Sequence, residues 1–260
     1  MNQIAFDADV ARSLERMYMT PDVVGQRARF LQLAGVRPGE RVLDVGVGPG
    51  LLCADMAPIV GKTGCIAGVD QSDAMIAFAQ ERCSEFPWTD FRESDATALP
   101  FADESFDLVT STQVYEYVPD MAAALGEVRR VLVPGGRVWI LDTDWDSVTW
   151  ATGDRARMRR VLEAWDGHLH DPHLPSTLGP KLEAAGLRVT GVEMIPLVNT
   201  SLHTHCYSGG ILGAIQGYVT SQGDIAADEA QAWADEQRAR SALGEYFFSI
   251  NRTCFGAVRL

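Results

Sequence analysis

Residues 42–50 read Val42-Leu43-Asp44-Val45-Gly46-Val47-Gly48-Pro49-Gly50. An apolar run that closes on a carboxylate and a glycine-rich turn predicts a buried strand, followed by a helix that begins at Leu51. Gly46 and Gly48 can adopt backbone torsions that other residues avoid, and they let a ligand approach the main chain closely. The turn would present free amide donors at a helix N-terminus, which suits a carboxylate or a phosphate.

The composition is typical of a globular protein with an acidic surface. The chain has 260 residues, of which 47% are hydrophobic and 22% charged, and its formal net charge is −13. Length alone allows one domain or two. Nucleic acids and anionic membrane surfaces both demand a basic face, so this charge argues against either as a partner. It permits a cationic substrate without requiring one.

The cysteines and the apolar runs of the sequence indicate in which cellular compartment the protein is expected. The five cysteines are scattered and form no CxxC pair. The first residues show no basic region followed by an apolar run, so no signal peptide is predicted. No apolar run approaches the ~20 residues that span a bilayer. We therefore expect a cytoplasmic protein with reduced thiols and no membrane partner.

Strands and helices alternate after the first turn. Further strands are predicted at Cys65–Asp70, Thr89–Glu93, Phe106–Ser111 and Arg137–Asp142, with helical segments between them. Such alternation predicts a parallel sheet that is covered by helices on both faces. In sheets of this kind ligands lie outside the carboxyl ends of the strands.

Asp70 closes the second strand and lies 20 residues after Gly50. In doubly wound folds an acidic side chain at this place meets the ribose hydroxyls of a bound nucleoside, because neighbouring strand ends border the same crevice. Ser72 follows as the expected N-cap of a helix over Asp73–Phe86. The sequence thus predicts a nucleoside site at this edge of the sheet.

The flanking regions are expected to cover that edge. Residues 8–34 predict two short helices that part at Thr20-Pro21. After the fifth strand, further strands are predicted at Leu187–Val198 and Phe247–Val258, with two helices in the insertion between them. We therefore predict a single domain over 1–260: a helical cap at 1–36, a cofactor-binding core at 37–145, and a substrate-side half at 146–260. The insertion occupies about 200–246 and is long enough to shape a site.

Five motifs at these spacings carry a family resemblance. They are Val42–Gly50, Asp70 at its strand end, Ser94-Asp95-Ala96 before Leu99-Pro100-Phe101, Phe106-Asp107-Leu108-Val109, and Leu132-Val133-Pro134-Gly135-Gly136. Together they resemble the class I S-adenosylmethionine-dependent methyltransferases, in particular small-molecule enzymes of the ubiquinone/menaquinone and natural-product tailoring type. The resemblance is strong from residue 40 to about residue 145 and only architectural beyond. It implies an α/β fold: a Rossmann-like, seven-stranded, mostly parallel sheet with helices on both faces.

The resemblance implies S-adenosylmethionine as cofactor, S-adenosylhomocysteine as product, and a role for each matching residue. Asp44 would accept from the methionine ammonium, Asp70 would take both ribose hydroxyls, and Asp95 would accept from the adenine amine. The remaining cofactor residues are expected around the same ligand: Gly46, Gly48 and Gly50 at the methionine portion, Gln71, Met75 and the Ala96 amide near the adenine, and Gln113 near the sulfonium.

Two alternatives stay open at this point. A NAD-dependent oxidoreductase would share the first motif, although the glycine spacing here is GxGxG and not the GxGxxG of dinucleotide binders. An Asp-Ala pair before an aliphatic-Pro-Phe turn also has no role in holding a nicotinamide. The other alternative is a protein that binds the cofactor and transfers no methyl group.

Methyl transfer from a sulfonium asks the protein for positioning, desolvation and sometimes one base. Glu116 is a candidate after the fourth strand, where many relatives have a histidine and this chain has Tyr115-Glu116-Tyr117. A solvated residue at a helix start is the equal alternative. Tyr18 would close the site from the N-terminal helices, unless it simply faces the core.

Further candidates follow the predicted fifth strand. Three carboxylates surround Trp145 in Asp142–Asp146, and Asp144 with this indole could hold a cation through charge and aromatic face. The alternative is a polar loop that caps the next helix. Because strand-end loops carry sites in such folds, we favour a functional role.

The segment His168-Leu169-His170-Asp171-Pro172-His173 has HxHxxH spacing. Asp171-Pro172 interrupts it and no cysteine is near, so no metal site is predicted. A single histidine as base is favoured, with His168 or His173 first and His203 and His205 second. The expected function is methyl transfer to a small organic acceptor, with the acidic segment favouring nitrogen over oxygen or carbon. The sequence leaves the oligomeric state open.

Overall fold

The computed structural model describes residues 8–260, so the first seven residues of the predicted 1–36 cap lie outside the described part. The helices are α1 (Ala8–Tyr18), α2 (Pro21–Ala34), α3 (Leu51–Val60), α4 (Asp73–Arg82), α5 (Met121–Val131), α6 (Arg155–Asp166), α7 (Pro175–Ala184), α8 (Tyr207–Gln222) and α9 (Ala227–Ala242), with a 3₁₀ turn at Tyr115–Tyr117. The strands are β1 (Arg41–Val45), β2 (Cys65–Asp70), β3 (Thr89–Glu93), β4 (Phe106–Thr112), β5 (Leu132–Trp150), β6 (Leu187–Asn199) and β7 (Phe248–Arg259).

The strands form one seven-stranded sheet in the order β3-β2-β1-β4-β5-β7-β6. β3, β2, β1, β4 and β5 run parallel, and β7 is antiparallel to both β5 and β6. The strand order reverses at β1 and β4, where Asp44 pairs with Gly68 of β2 and with Thr110 of β4. The predicted Rossmann-like, mostly parallel sheet is confirmed. A crevice for ligands is expected where the order reverses.

Alternating side chains along the central strands direct the packing of the helices. Val42 of β1 packs with α2, α3 and α4 on one face, whereas Leu43 packs with α5 and α7 on the other. Because both faces are covered, these strands are apolar almost throughout, as is usual for parallel sheets. Among the described residues, no helix combines the length and apolar character needed to cross a membrane.

The helices of the 200–246 region belong to a third apolar cluster. α8 and α9 pack with α6 and with residues of α1 and β7, and the cluster is rich in indole rings, including Trp150, Trp165 and Trp233. Most predicted boundaries are confirmed within a few residues. Ser72 caps α4 by accepting from the Met75 amide, although that helix ends at Arg82 and not at Phe86. The division into cap, core and insertion stays a prediction.

β5 differs most from expectation, because it continues to Trp150 and does not end at Asp142. β7 pairs with it on both sides of an irregularity between Asp144 and Thr149. Within that irregularity the Ser147 hydroxyl accepts from the Asn251 amide at 2.8 Å. The predicted strand-end loop at Asp142–Asp146 is therefore wrong. This segment lies inside a bulged strand because β7 supplies hydrogen-bond partners to β5 beyond Asp142, where β5 was expected to end.

Candidate active site

A large cavity of about 840 Å³ opens at the carboxyl ends of β1, β2 and β4. Its volume falls within the ~300–1,000 Å³ usual for small-molecule sites. It is lined by most of the predicted cofactor residues, namely Gly46, Gly48, Asp70, Gln71, Met75, Asp95, Ala96 and Gln113, and also by Tyr18, Val114 and Tyr117. The structure thus brings together residues that the sequence placed at or after the ends of four different strands.

A small cavity of about 70 Å³ adjoins the large one, and both are lined by Tyr18, Gly46, Gly48, Pro49, Thr112 and Gln113. Asp44 and Arg252 face the small cavity only. Gly50 lines neither cavity. A Cβ at Gly50 would lie 2.8 Å from the Ala79 Cα, so this glycine permits close packing of α3 against α4.

Asp70 binds the glycine turn as well as bordering the large cavity. Its carboxylate accepts from the Gly48 amide at 2.9 Å and from the Ser72 amide at 3.0 Å. Burial raises the pKa of Asp70, against the lowering effect of these amide hydrogen bonds. The end of β2 therefore holds the turn that follows β1. The position of Asp70 at the strand end did not predict this hydrogen bond to the glycine turn.

Asp95 already has donors in the structure. Its carboxylate accepts from the Thr97 amide at 2.7 Å, from the Thr97 hydroxyl at 2.6 Å and from Gln71 Nε2 at 2.6 Å. Met75 and Ala96 are buried beside it. A ligand amine at Asp95 would share the carboxylate with these donors or displace the Gln71 side chain.

Asp44 is buried at the end of β1, where it accepts from the Thr110 hydroxyl at 2.7 Å. Burial raises its pKa to about 7. Gln113, which also lines the small cavity, has a positive φ of 59° that is rare outside glycine, and its side chain accepts from the Thr143 hydroxyl. Backbone strain of this kind concentrates at functional sites.

The predicted catalytic histidines lie outside both cavities. His168 is 2% exposed and packs within an aromatic cluster, 3.7 Å from Trp165 between ring centroids. Its Nδ1 bonds the Trp165 carbonyl, and burial lowers its pKa to about 4 because an imidazolium would be poorly solvated there. These contacts give His168 a structural position and do not favour its predicted role as base.

His173 faces carboxylates, with its Nδ1 3.7 Å from Asp144 and 3.4 Å from Asp146. The possible ligand atoms of these three residues lie within 4.8 Å of one another, but exposed acidic groups are common without a metal ion. The HxHxxH spacing does not assemble a histidine cluster, since His168 is buried and His170 exposed. The absence of a metal stays a prediction.

The proposed aromatic face for a cation is also closed. Trp145 is buried, and its ring packs edge-on against Trp165 at 5.6 Å and against His168 at 5.9 Å. Asp142 lies apart in the interior, where it accepts from the Val114 amide at 3.0 Å. The predicted group of three carboxylates around one indole is therefore wrong, because the bulge in β5 sends these side chains into different surroundings.

Glu116, Asp142 and Arg252 form what we name the buried charge cluster. All three are buried, and Coulombic interactions join each carboxyl to the other and to the guanidinium. Burial raises the pKa of Asp142 to about 7 and, together with Asp142, raises that of Glu116 well above its usual range. Arg252 donates to Gln26 Oε1 at 2.7 Å and lies 4.7 Å from the centre of the Tyr207 ring.

Sequence reasoning missed Asp142 as a separate site residue and missed Arg252 altogether. The available signal was an arginine within the apolar run predicted as the last strand. Long charged side chains are rarely fully buried unless they are paired. Tyr18 was predicted, and its place in the lining of both cavities fits a residue that closes the site from α1.

Comparisons with known proteins agree with this geometry. Residues 43–140 match a family described as "Methyltransferase domain". The chain is 39% identical over 117 residues to a demethylmenaquinone methyltransferase of Staphylococcus aureus, covering 45% of this chain and 48% of that one. It is 36% identical over 141 residues to an uncharacterized 37.1 kDa protein in transposon TN4556 of Streptomyces fradiae, covering 54% and 41%. The chain thus spans less than half the length of these curated relatives.

Solved structures share the fold. A SAM-dependent methyltransferase from Aquifex aeolicus superposes with a TM-score of 0.58 at 17% identity, covering 96% of this chain and 99% of that one. A phosphoethanolamine N-methyltransferase 2 from Haemonchus contortus, in complex with S-adenosyl-L-methionine, gives a TM-score of 0.62 at 18% identity and covers 98% and 57%. Residues 43–140 therefore match a methyltransferase domain, and the chain shares the fold of these solved methyltransferase structures.

Proposed function

We propose that this protein binds S-adenosylmethionine in the large cavity, with the methionine end at the adjoining small cavity, and transfers its methyl group to a small organic acceptor. One observation carries the proposal: the Asp70 carboxylate borders the cavity while it holds the Gly48 amide at 2.9 Å. The ribose-binding group and the glycine turn are thereby fixed to each other before any ligand arrives. Such preorganisation reduces the entropy lost on binding.

The cofactor, when bound, supplies an electrophilic methyl group on a good leaving group. The chain's share is to orient both reactants and to exclude water. We assign the ribose to Asp70, the adenine to the wall of Met75, Asp95 and Ala96, and the methionine end to Asp44 and Gln113 (with Gly46 and Gly48 in the turn between them). Tyr18 would cover the reacting end from α1.

The acceptor is proposed as a small molecule because several similar proteins are named for small-molecule acceptors. One is a demethylmenaquinone methyltransferase, and the structural neighbours include a phosphoethanolamine N-methyltransferase and a geranyl diphosphate methyltransferase. Nitrogen is preferred over oxygen or carbon on the charge balance developed below. A cytoplasmic location is proposed with it, since the five cysteines are free and four of them are buried.

Calorimetric titration with S-adenosylhomocysteine tests the cofactor site. The Asp70→Ala variant loses two charge-assisted hydrogen bonds to the ribose, each worth roughly 1.5–3 kcal/mol, so its Kd should rise about 100-fold or more. Asp70→Asn keeps an acceptor oxygen and should lie between the two. The control is Asp90→Ala, which removes an exposed carboxylate paired only with Arg92 on the edge strand β3 and should bind like wild type.

Failure of the wild type to bind S-adenosylhomocysteine would refute the proposal. Equal affinity in wild type and Asp70→Ala would refute the ribose assignment alone. A separate assay with cofactor labelled in the methyl group then distinguishes transfer from binding without transfer. The match to the methyltransferase domain leaves the NAD-dependent oxidoreductase without support, and titration with NAD should give no heat.

A further inference from the structure

The buried charge cluster is unbalanced. Glu116 and Asp142 contribute two carboxyls against the single guanidinium of Arg252, and their exposed fractions are 2%, 0% and 2%. The three residues come from the 3₁₀ turn, from β5 and from β7. Burying charged groups is costly unless their charges and hydrogen bonds are satisfied. Because burial raises the pKa of both carboxyls, a positive partner would be needed to keep both of them ionised.

Hydrogen bonding in the cluster is also incomplete. Within residues 8–260, Glu116 Oε2 and Asp142 Oδ2 are buried carboxylate oxygens without a hydrogen-bond donor, and Arg252 Nε is a buried donor without an acceptor. A buried polar atom that lacks a partner destabilises the fold, and more so if it is charged. Native proteins leave few such atoms, and those that remain call for an explanation. Two donors are missing at the carboxyls, which a ligand could supply.

The cluster lies at the reacting end of the proposed cofactor site. Val114 and Tyr117, on either side of Glu116 in the chain, both line the large cavity. The Val114 amide donates to Asp142, and Arg252 lines the adjoining small cavity. Tyr18, which lines both cavities, interacts electrostatically with all three members of the cluster. Glu116 and Asp142 themselves line neither cavity, so the cluster lies behind the wall that Val114, Tyr117 and Tyr18 form around the space where an acceptor would meet the methyl group.

We propose that the buried charge cluster is the acceptor subsite and that it binds a small primary or secondary amine in its protonated form. This inference rests on the proposed methyl transfer and names its substrate class. An alkylammonium carries at least two N–H donors, enough for Glu116 Oε2 and Asp142 Oδ2, and its charge offsets the acidic excess. A hydroxyl has one donor and no charge. A carboxylate or phosphate group would meet two acidic side chains and only one arginine.

The cluster also provides for deprotonation, which the nitrogen needs before it can attack. The ammonium gives one proton to the Glu116 carboxylate, and the nitrogen lone pair becomes free. The nitrogen then forms a bond to the methyl carbon as the carbon–sulfur bond breaks, and that electron pair stays on sulfur. The products are the methylated ammonium, neutral S-adenosylhomocysteine and protonated Glu116, which returns its proton to solvent. Charge and atoms balance across the step.

The test uses matched amine and alcohol probes on the full chain saturated with S-adenosylhomocysteine. The pairs are 2-phenylethylamine with 2-phenylethanol, hexylamine with hexan-1-ol, and ethanolamine with ethylene glycol, each titrated by calorimetry. At least one amine should bind, and at least tenfold more tightly than its alcohol. Glu116→Gln keeps the shape and removes the charge, so it should weaken that amine tenfold or more and its alcohol less than twofold.

The matched control is Asp166→Asn, since Asp166 is a half-buried carboxylate that lines neither cavity. Its amine affinity should equal that of wild type. If Glu116→Gln does not fold, Asp142→Asn replaces it, and the amine-to-alcohol ratio of the wild type needs no variant. Binding of S-adenosylhomocysteine without any amine binding overturns the amine site, as does equal binding of amines and alcohols. Failure of S-adenosylhomocysteine itself to bind overturns the proposed function instead.

Discussion

Replacing Gly46 by alanine should destabilise the protein more than the same change at Gly48. Both glycines have positive φ, 72° at Gly46 and 51° at Gly48. An alanine in that region costs roughly 1–2 kcal/mol at either position. The surroundings differ, because a Cβ at Gly46 would lie 2.8 Å from one γ-methyl carbon of Val114 and closer still to the other. A Cβ at Gly48 would meet no atom of the described part of the chain within 4 Å.

The steric contribution to the cost of Gly46→Ala can be separated from the cost of positive φ by a second substitution at Val114. Overpacking in a closed site typically adds about 1–3 kcal/mol, so Gly46→Ala should cost about 2–5 kcal/mol in all and Gly48→Ala about 1–2 kcal/mol. Val114→Ala removes both γ-methyl groups and leaves the Cβ at 3.0 Å. In that background the two glycine substitutions should cost nearly the same.

Urea unfolding of the ligand-free protein and its five variants, which are the three single substitutions and the two glycine substitutions combined with Val114→Ala, measures these differences as double-mutant cycles. A coupling of about 1–3 kcal/mol between positions 46 and 114 is expected, relieving the substitution at Gly46. Equal costs for Gly46→Ala and Gly48→Ala in the wild-type background would refute the reasoning. So would a difference that persists unchanged in Val114→Ala, since no steric partner would then explain it.

Three further predictions concern stability. Burial lowers the pKa of His168 from 6.5 to about 4, so between these pH values the imidazole is protonated in the unfolded state and neutral in the folded state. The free energy of unfolding of the wild type should therefore fall as pH drops from 6.5 towards 4. The fall should exceed that of His168→Phe by up to about 3 kcal/mol. Urea unfolding across this range compares the slopes, and parallel slopes would contradict it. Glu236→Gln weakens charge-assisted bonds between α9 and the start of α6 and should cost about 2 kcal/mol, whereas Asp90→Asn on the surface should change stability by less than about 0.5 kcal/mol in the same assay. Gly256→Ala places a Cβ 2.6 Å from the Trp139 ring and should lower stability by about 1–3 kcal/mol; Trp139→Leu in the same chain should recover most of it, and no recovery would contradict the steric cause.

Much of the fold could be predicted because parallel strands buried on both faces have a local signature. The bounds of β2 and β3 are as predicted, and the sheet has the predicted class. The length of β5 could not be predicted. Its extension to Trp150 depends on pairing with β7, a segment about a hundred residues away, and on the Ser147 hydroxyl that accepts from Asn251. Such pairing leaves no periodic signal in either segment alone.

The surroundings of the histidines could not be predicted from the sequence either. The spacing of His168 and His173 suggested a shared role, yet one packs among aromatic rings and the other faces carboxylates. Sequence neighbours in a loop share no fixed direction, in contrast to residues at regular helix or strand spacing. Trp145 was likewise expected to present an open face, and packing against Trp165 buries it.

The sequence by itself determined the part of the site that we assign to the cofactor. The glycine turn and Asp70 belong to one strand–helix–strand unit, so their spacing along the chain brings Asp70 to the turn that it binds. Only the tertiary structure decided the part of the site that we assign to the acceptor. Glu116, Asp142 and Arg252 come together because β5 and β7 pair across the sheet, and burial there raises the pKa of both carboxyls and leaves buried carboxylate oxygens without donors. Local chain geometry carries the first kind of information, whereas long-range pairing and desolvation carry the second.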